Sequence, residues 1–138
     1  MTVNDVLNYN QVFKSIIDNA TNVNALVKFK LLGMCKQFEP IIENFEKVRQ
    51  DKIREFSNMN EGGNYGIIAP EKNKFENDED FEKAQKEFDE AVDKFDAAVK
   101  EVTDSEVKIE IEKFKASDII DAGIPADYLL AIYDLIEE

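Results

Sequence analysis

Histidine, the commonest general base and metal ligand, is absent from the 138 residues. The chain's one cysteine, Cys35, is followed by Lys36, whose charge favours the thiolate slightly. Cys35 also directly follows the apolar position Met34, and in that place a free cysteine reads as a small buried hydrophobe rather than a nucleophile. The acidic cluster Glu87, Asp89, Glu90, Asp93 and Asp96 offers oxygens to a divalent cation. Helical spacing spreads these carboxylates around the outer half of a helix, and no loop with ligands at alternate positions occurs. A solvated helix face is therefore the preferred reading. Gly62-Gly63-Asn64-Tyr65-Gly66 has the glycines of a phosphate loop but lacks the Lys-Ser/Thr that would follow, so it reads as a turn entering a strand. The expectation is a protein that is not an enzyme, with no catalytic residues, no metal ligands and no cofactor.

The bulk composition narrows the classes further. A chain of this length fits a single domain, 1–138, and can bury a real core. With 43% hydrophobic residues and ten Phe it is too apolar to be disordered. A lone cysteine allows no intrachain disulfide. No apolar run is long enough to span a bilayer. Residues 1–10 lack the charged-then-apolar layout of a secretion signal, so the expectation is a protein that stays inside the cell that makes it.

The net charge of −13 is unevenly placed: residues 1–58 carry eight Lys/Arg against seven Asp/Glu, and residues 59–138 carry nine Lys against 23 Asp/Glu. The second half is an acidic surface joined to a nearly neutral first half. Direct binding to nucleic acid is disfavoured, since phosphate affinity comes from Lys and Arg.

Several elements would position these residues. Val12, Phe13, Ile16, Ile17 and Ala20 make one apolar face and predict a helix over 8–20, within an N-terminal extension of 1–21. Thr21 or Asn22 is placed to end it and cap the next helix. Val27, Leu31, Met34, Phe38, Ile41, Phe45 and Val48 follow heptad spacing and predict a long helix over 22–57, with a kink or break at Pro40. Residues 58–77 break the pattern, with Tyr65–Ile68 as a short strand. Phe81, Ala84, Phe88, Ala91, Phe95, Ala98 and Val102 predict a second long helix over 78–102, capped by Asn77 or Asp78. Large and small residues alternate along this seam and suit a closely facing helix.

Val107, Ile109 and Ile111 alternate with Lys108, Glu110 and Glu112 and predict a strand over 106–114, for which Tyr65–Ile68 is the expected partner. A helical turn capped by Ser117 is expected over 117–122, and a final helix from Pro125 to the C-terminus. The fold class expected is mainly α (α+β): an antiparallel hairpin of long helices, a small two-stranded β-element and a C-terminal helix.

From Lys28 onward the order of parts resembles an uncharacterised family of small phage and prophage proteins. The resemblance is carried by Lys30-Leu31-Leu32, Phe38-Glu39-Pro40-Ile41-Ile42-Glu43, Arg49, Ile53 and Gly63-Asn64-Tyr65-Gly66-Ile67. It continues through Phe95 to Val102, Glu106-Val107-Lys108-Ile109-Glu110-Ile111 and Pro125-Ala126-Asp127-Tyr128-Leu129-Leu130-Ala131-Ile132. It covers about four fifths of the chain, leaving out Met1 to Val27. Where the family has Thr before the Pro-Ala-Asp step, this chain has Ile124. The resemblance implies a phage-encoded protein from regions holding tail and structural genes, and it carries no activity or site residues.

Two surfaces then remain as partner sites. The strand edge, with Val107, Ile109, Ile111, Glu110 and Glu112 and its expected neighbours Tyr65 and Ile67, is a template for pairing with another chain; its alternative is a plain hairpin covered by the C-terminal helix. The Phe81, Phe88 and Phe95 stripe is expected to pack on Phe38 and Phe45; its alternatives are a docking face for a partner helix and a homo-oligomer seam. The function expected is a virion structural or assembly accessory that binds a virion or host protein, made in the host cytoplasm, with the virion as a second location. The alternative is an inhibitor of a host defence or nucleic-acid-binding protein, acting through the acidic half; for that half, solubility is the plainer explanation.

Overall fold

Helix α1 starts at a reciprocal cap. The Thr2 hydroxyl accepts from the Asp5 N–H at 3.2 Å and the Asp5 carboxylate accepts from the Thr2 N–H at 2.9 Å. In the computed structural model, which describes residues 1–20, 22–119 and 122–137, α1 runs Val3–Asn19, five residues earlier than the apolar face alone indicates. The proposed cap at Thr21 lies outside the described residues, and Asn22 adopts a positive φ of 63°. Asn24 opens the next helix instead, its side chain accepting from the Leu26 N–H at 2.9 Å.

Helix α2 spans Ala25–Phe56 and runs through Pro40, so of the two outcomes expected there the break does not occur. Pro40 and Lys36, whose carbonyl loses its partner, are both exposed, so that loss falls on the solvent side of the helix.

The first sheet corrects the expected strand pairing. Tyr65 lies in β2 (Asn64–Gly66), which pairs antiparallel with β1 (Met59–Glu61) and not with residues 106–114. Gly62 and Gly63, at φ 59° and 85°, form the two-residue turn between them, which needs positive φ at both positions. Ser57 locks the open end, its hydroxyl accepting from the Gly66 N–H at 3.0 Å. Asn58 extends the pairing, accepting from the Ile68 N–H at 2.9 Å and donating to the Ile68 carbonyl at 2.8 Å.

Helix α3 spans Asp78–Thr103, with Asn77 as its cap: the Asn77 side chain accepts from the Asp80 N–H at 2.8 Å. Its expected bounds hold to within a residue.

The C-terminal part departs most from the pattern. Among the described residues of the expected strand 106–114, only Phe114 lies in a strand, β3 (Phe114–Lys115), paired parallel with β4 (Ile136–Glu137), while Glu106 forms an isolated bridge. A short helix α4 occupies Ala116–Ile119; the rest of the turn expected over 117–122 includes Ile120 and Asp121, outside the described residues. The expected final helix stops early. Helix α5 covers Ala126–Ala131, Tyr133–Leu135 form a 3₁₀ turn, and the chain then extends into β4; Glu138 is outside the described residues. The tighter turn buries both Ile132 and Leu135, three residues apart, which suits 3₁₀ spacing.

The architecture is mainly α, with long helices and small β-elements, and divides into two compact units. One comprises residues 1–43 and 105–138. Its core gathers Val6, Phe13 and Ile16 of α1, Val27, Leu31, Met34, Cys35 and Phe38 of α2, and Phe114, Ile119, Ile132 and Leu135 of the C-terminal part. The other, residues 44–104, holds the end of α2, the β1–β2 hairpin and α3. There Arg49 and Ile53 line one hollow with Val92 and Phe95, while Asn58 and Met59 line another with Ala84 and Glu87. Ascending positions before the loop thus meet descending positions after it, which is the antiparallel hairpin. Phe81, Ala84, Phe88, Ala91, Phe95, Ala98 and Val102 of the α3 seam are all half-buried. Phe38 belongs to the first unit and stacks on Phe13; Phe45 is buried in the second.

Candidate interaction edge at residues 107 to 113

After α3 the chain crosses to the N-terminus and is clamped there. The Val3 N–H donates to the Ser105 carbonyl at 3.0 Å and the Val107 N–H donates to the Met1 carbonyl at 2.9 Å. These bonds flank an antiparallel bridge between Thr2 and Glu106. The Met1 ammonium adds an ion pair to Glu106 at 3.0 Å; the Glu106 side chain is largely exposed, so this contact is worth little by itself. Residues 1–3 then turn into α1 and the clamp ends.

From Lys108 to Glu112 the segment keeps a two-residue alternation. Ile109 and Ile111 are half-buried and pack, with Val107, against the core of the first unit; Lys108, Glu110 and Glu112 are exposed. Its apolar side is therefore held in place. Its backbone is not: among the described residues, no N–H or carbonyl of Lys108 to Glu112 hydrogen-bonds to another group. Pairing resumes at Phe114, which is buried and lies opposite Ile136 in β3–β4. The result is five residues of unpaired chain with alternating sides, an open edge held between two clamps.

The other residues singled out from sequence divide between the units. Val107, Ile109, Ile111, Glu110 and Glu112 are together on this edge. Tyr65 and Ile67 belong to the second unit, where the Arg54 guanidinium lies over the Tyr65 ring, 5.1 Å from its centroid. Of the helix-seam residues, Phe81 meets Phe75 edge to face at 5.7 Å.

The reactive-group candidates have plain surroundings. Cys35 is buried, and burial pushes its thiol above the ordinary value, with Glu39 adding to the rise and Lys14 opposing it. Glu87, Asp89, Glu90, Asp93 and Asp96 are all exposed along α3, and Gln85 donates to Asp89 at 3.1 Å. Among the described residues, no three His, Cys, Asp or Glu side chains are grouped to hold a metal ion, and no helix is long and apolar enough to cross a membrane.

Two exposed apolar surfaces escaped the sequence reading. Leu26, Phe29 and Leu32 stand on the side of α2 opposite its buried seam; Leu130 and Tyr133 stand beside a groove near the C-terminus. The signal for the first was present, since these three residues fall off the heptad register; the second depends on the early end of α5. No family model matches the chain, and neither a curated protein nor a solved structure matches it.

Proposed function

We propose that this chain is a non-enzymatic protein-interaction protein that receives an extended segment of a partner along Val107–Lys113, and that it serves as a structural or assembly accessory of a phage particle. The observation that carries the first part is the open edge. A strand whose side chains are fixed and whose backbone groups are unpaired is preorganised for strand addition, because little further ordering is needed on binding. The exposed Lys108, Glu110 and Glu112 set the register and charge of an incoming segment. The assignment to a phage particle rests on the resemblance to small phage and prophage proteins. The partner is accordingly a virion or host protein, met in the host cytoplasm where the chain is made.

The experiment selects binders to the full chain from a random twelve-residue peptide library and locates them by backbone amide hydrogen exchange. Slowed exchange at residues 108–112 supports the reading. Selected peptides that protect only other regions reject it.

One observation favours a second reading, inhibition of a host nucleic-acid-binding protein. The exposed carboxylates Glu87, Asp89, Glu90, Asp93 and Asp96 lie along one helix and can stand in for phosphates before a basic surface. Displacement of DNA from such a protein by the wild type, lost on neutralising these five residues, would favour it.

A further inference from the structure

Between Asp18 and Glu39 the sequence holds three lysines and no acid, an unusual stretch in a chain of net charge −13. It contains the first half of α2. Val27, Leu31, Met34 and Phe38 are buried on one side of that helix. On the opposite side Phe29 is 74% exposed, with Leu26 at 54% and Leu32 at 48%. Gly33 lies in the same stripe, and a Cβ built there would meet nothing within 4 Å. At about 100° per residue, Lys28 and Lys30 border the stripe on its two sides and Lys36 falls within it. This is an apolar face with a basic rim.

The same unit carries its complement. A groove of about 400 Å³ is lined by Ala116, Ile119, Ala126, Leu129, Leu130, Tyr133 and Ile136, with Leu130 75% and Tyr133 72% exposed. From residue 116 to residue 138 the sequence has six acids and no lysine or arginine. Among the described ones, Asp127, Asp134 and Glu137 are exposed next to groove residues. None of Lys28, Lys30, Lys36, Asp127, Asp134 and Glu137 forms an ion pair with another described residue.

We infer that the Phe29 face of one copy docks into the Leu130–Tyr133 groove of a second copy of this chain. Exposed aromatic and leucine clusters of this kind mark interaction surfaces. Charge selects the occupant. Face against face would oppose three lysines with three lysines, and groove against groove would oppose acid with acid. Only face against groove sets Lys28, Lys30 and Lys36 against Asp127, Asp134 and Glu137. An anionic membrane suits the face alone, and the chain's overall charge repels it. This contact uses none of the open-edge residues, so it stands or falls independently of strand addition.

The test measures the mass of the full chain in solution across a concentration series. The wild type self-associates, and Phe29→Ser and Leu130→Ser each weaken association roughly tenfold or more, as loss of a central anchor does. Because these residues are exposed, circular dichroism of both variants stays that of the wild type. Two charge-reversed chains make the decisive pair: Lys28→Glu/Lys30→Glu/Lys36→Glu, and Asp127→Lys/Asp134→Lys/Glu137→Lys. Each is monomeric alone, and an equimolar mixture associates, because each then offers what the other lacks. A wild type that stays monomeric, association that survives either reversal, or a mixture that stays monomeric overturns the proposal. A monomeric wild type that instead binds an acidic peptide or anionic vesicles does the same.

Discussion

Phe13 of α1 and Phe38 of α2 stack with ring centroids 5.9 Å apart and planes 19° from parallel, and both are fully buried. Tyr9 continues the stack at 5.9 Å from Phe13. This contact ties the N-terminal helix to the long helix at the centre of the first unit. Truncating either Phe removes about forty van der Waals contacts and leaves a cavity. Phe38→Ala should lower stability by about 3–5 kcal/mol, and Phe13→Ala by a similar amount. The double variant should lose less than the two together, because they share one contact. Denaturant melts of the four chains check this.

Phe88 is half-buried on the α3 seam of the second unit. Phe88→Asp should cost about 2 kcal/mol or more by placing an unpaired charge there. Amide exchange should quicken within residues 44–104, while the amides around Phe38 keep their protection. Unchanged exchange within 44–104 would mean that the seam is not packed.

Cys35 should be silent in the folded protein. Burial raises its thiol above the ordinary value, so the thiolate is scarce at neutral pH as well as shielded. Iodoacetamide should fail to modify the native chain and should modify it fully in denaturant, as read by intact mass.

Asp5 supplies a pH signature at the start of α1. The Thr2 backbone N–H that donates to it holds its carboxyl below the ordinary value of 3.8, with burial opposing and the Thr2 hydroxyl and the N-terminal charge assisting. A lowered value means that the folded state prefers the charged form. Its contribution is therefore present above about pH 4 and disappears as pH falls through the lower folded value. The stability gap between wild type and Asp5→Ala should be constant near neutrality and close progressively below about pH 4. A gap independent of pH would show that the carboxylate plays no part in the cap.

The long helices were legible in the sequence because their apolar residues repeat over many turns; Asn77 and the α3 seam fix one end and one face of α3 unaided. The division of labour along α2 was not legible. Val27 through Phe38 and Phe45 share one register, yet the first group packs in one unit and Phe45 in the other, and periodicity is blind to which partner a face meets. The β1–β2 hairpin was missed because Met59-Asn60-Glu61 has no alternation of its own; the Gly62-Gly63 pair was the usable signal. Residues 106–114 show the limit of pattern most clearly. Alternation gave the dry and wet sides of Val107–Glu112 correctly, but pairing depends on what lies alongside, and among the described residues only 1–3 and β4 pair with the stretch, at its two ends.

Hydrogen exchange of the free chain, resolved to single amides, tests the open edge most directly. The account predicts that the amides of Lys108 to Glu112 exchange close to the rate of an unstructured peptide, while Val107, whose N–H donates to Met1, and the interior of α2 are strongly protected. Protection across 108–112 in the free chain, comparable to that in α2, would mean that the edge is already paired and would contradict the account.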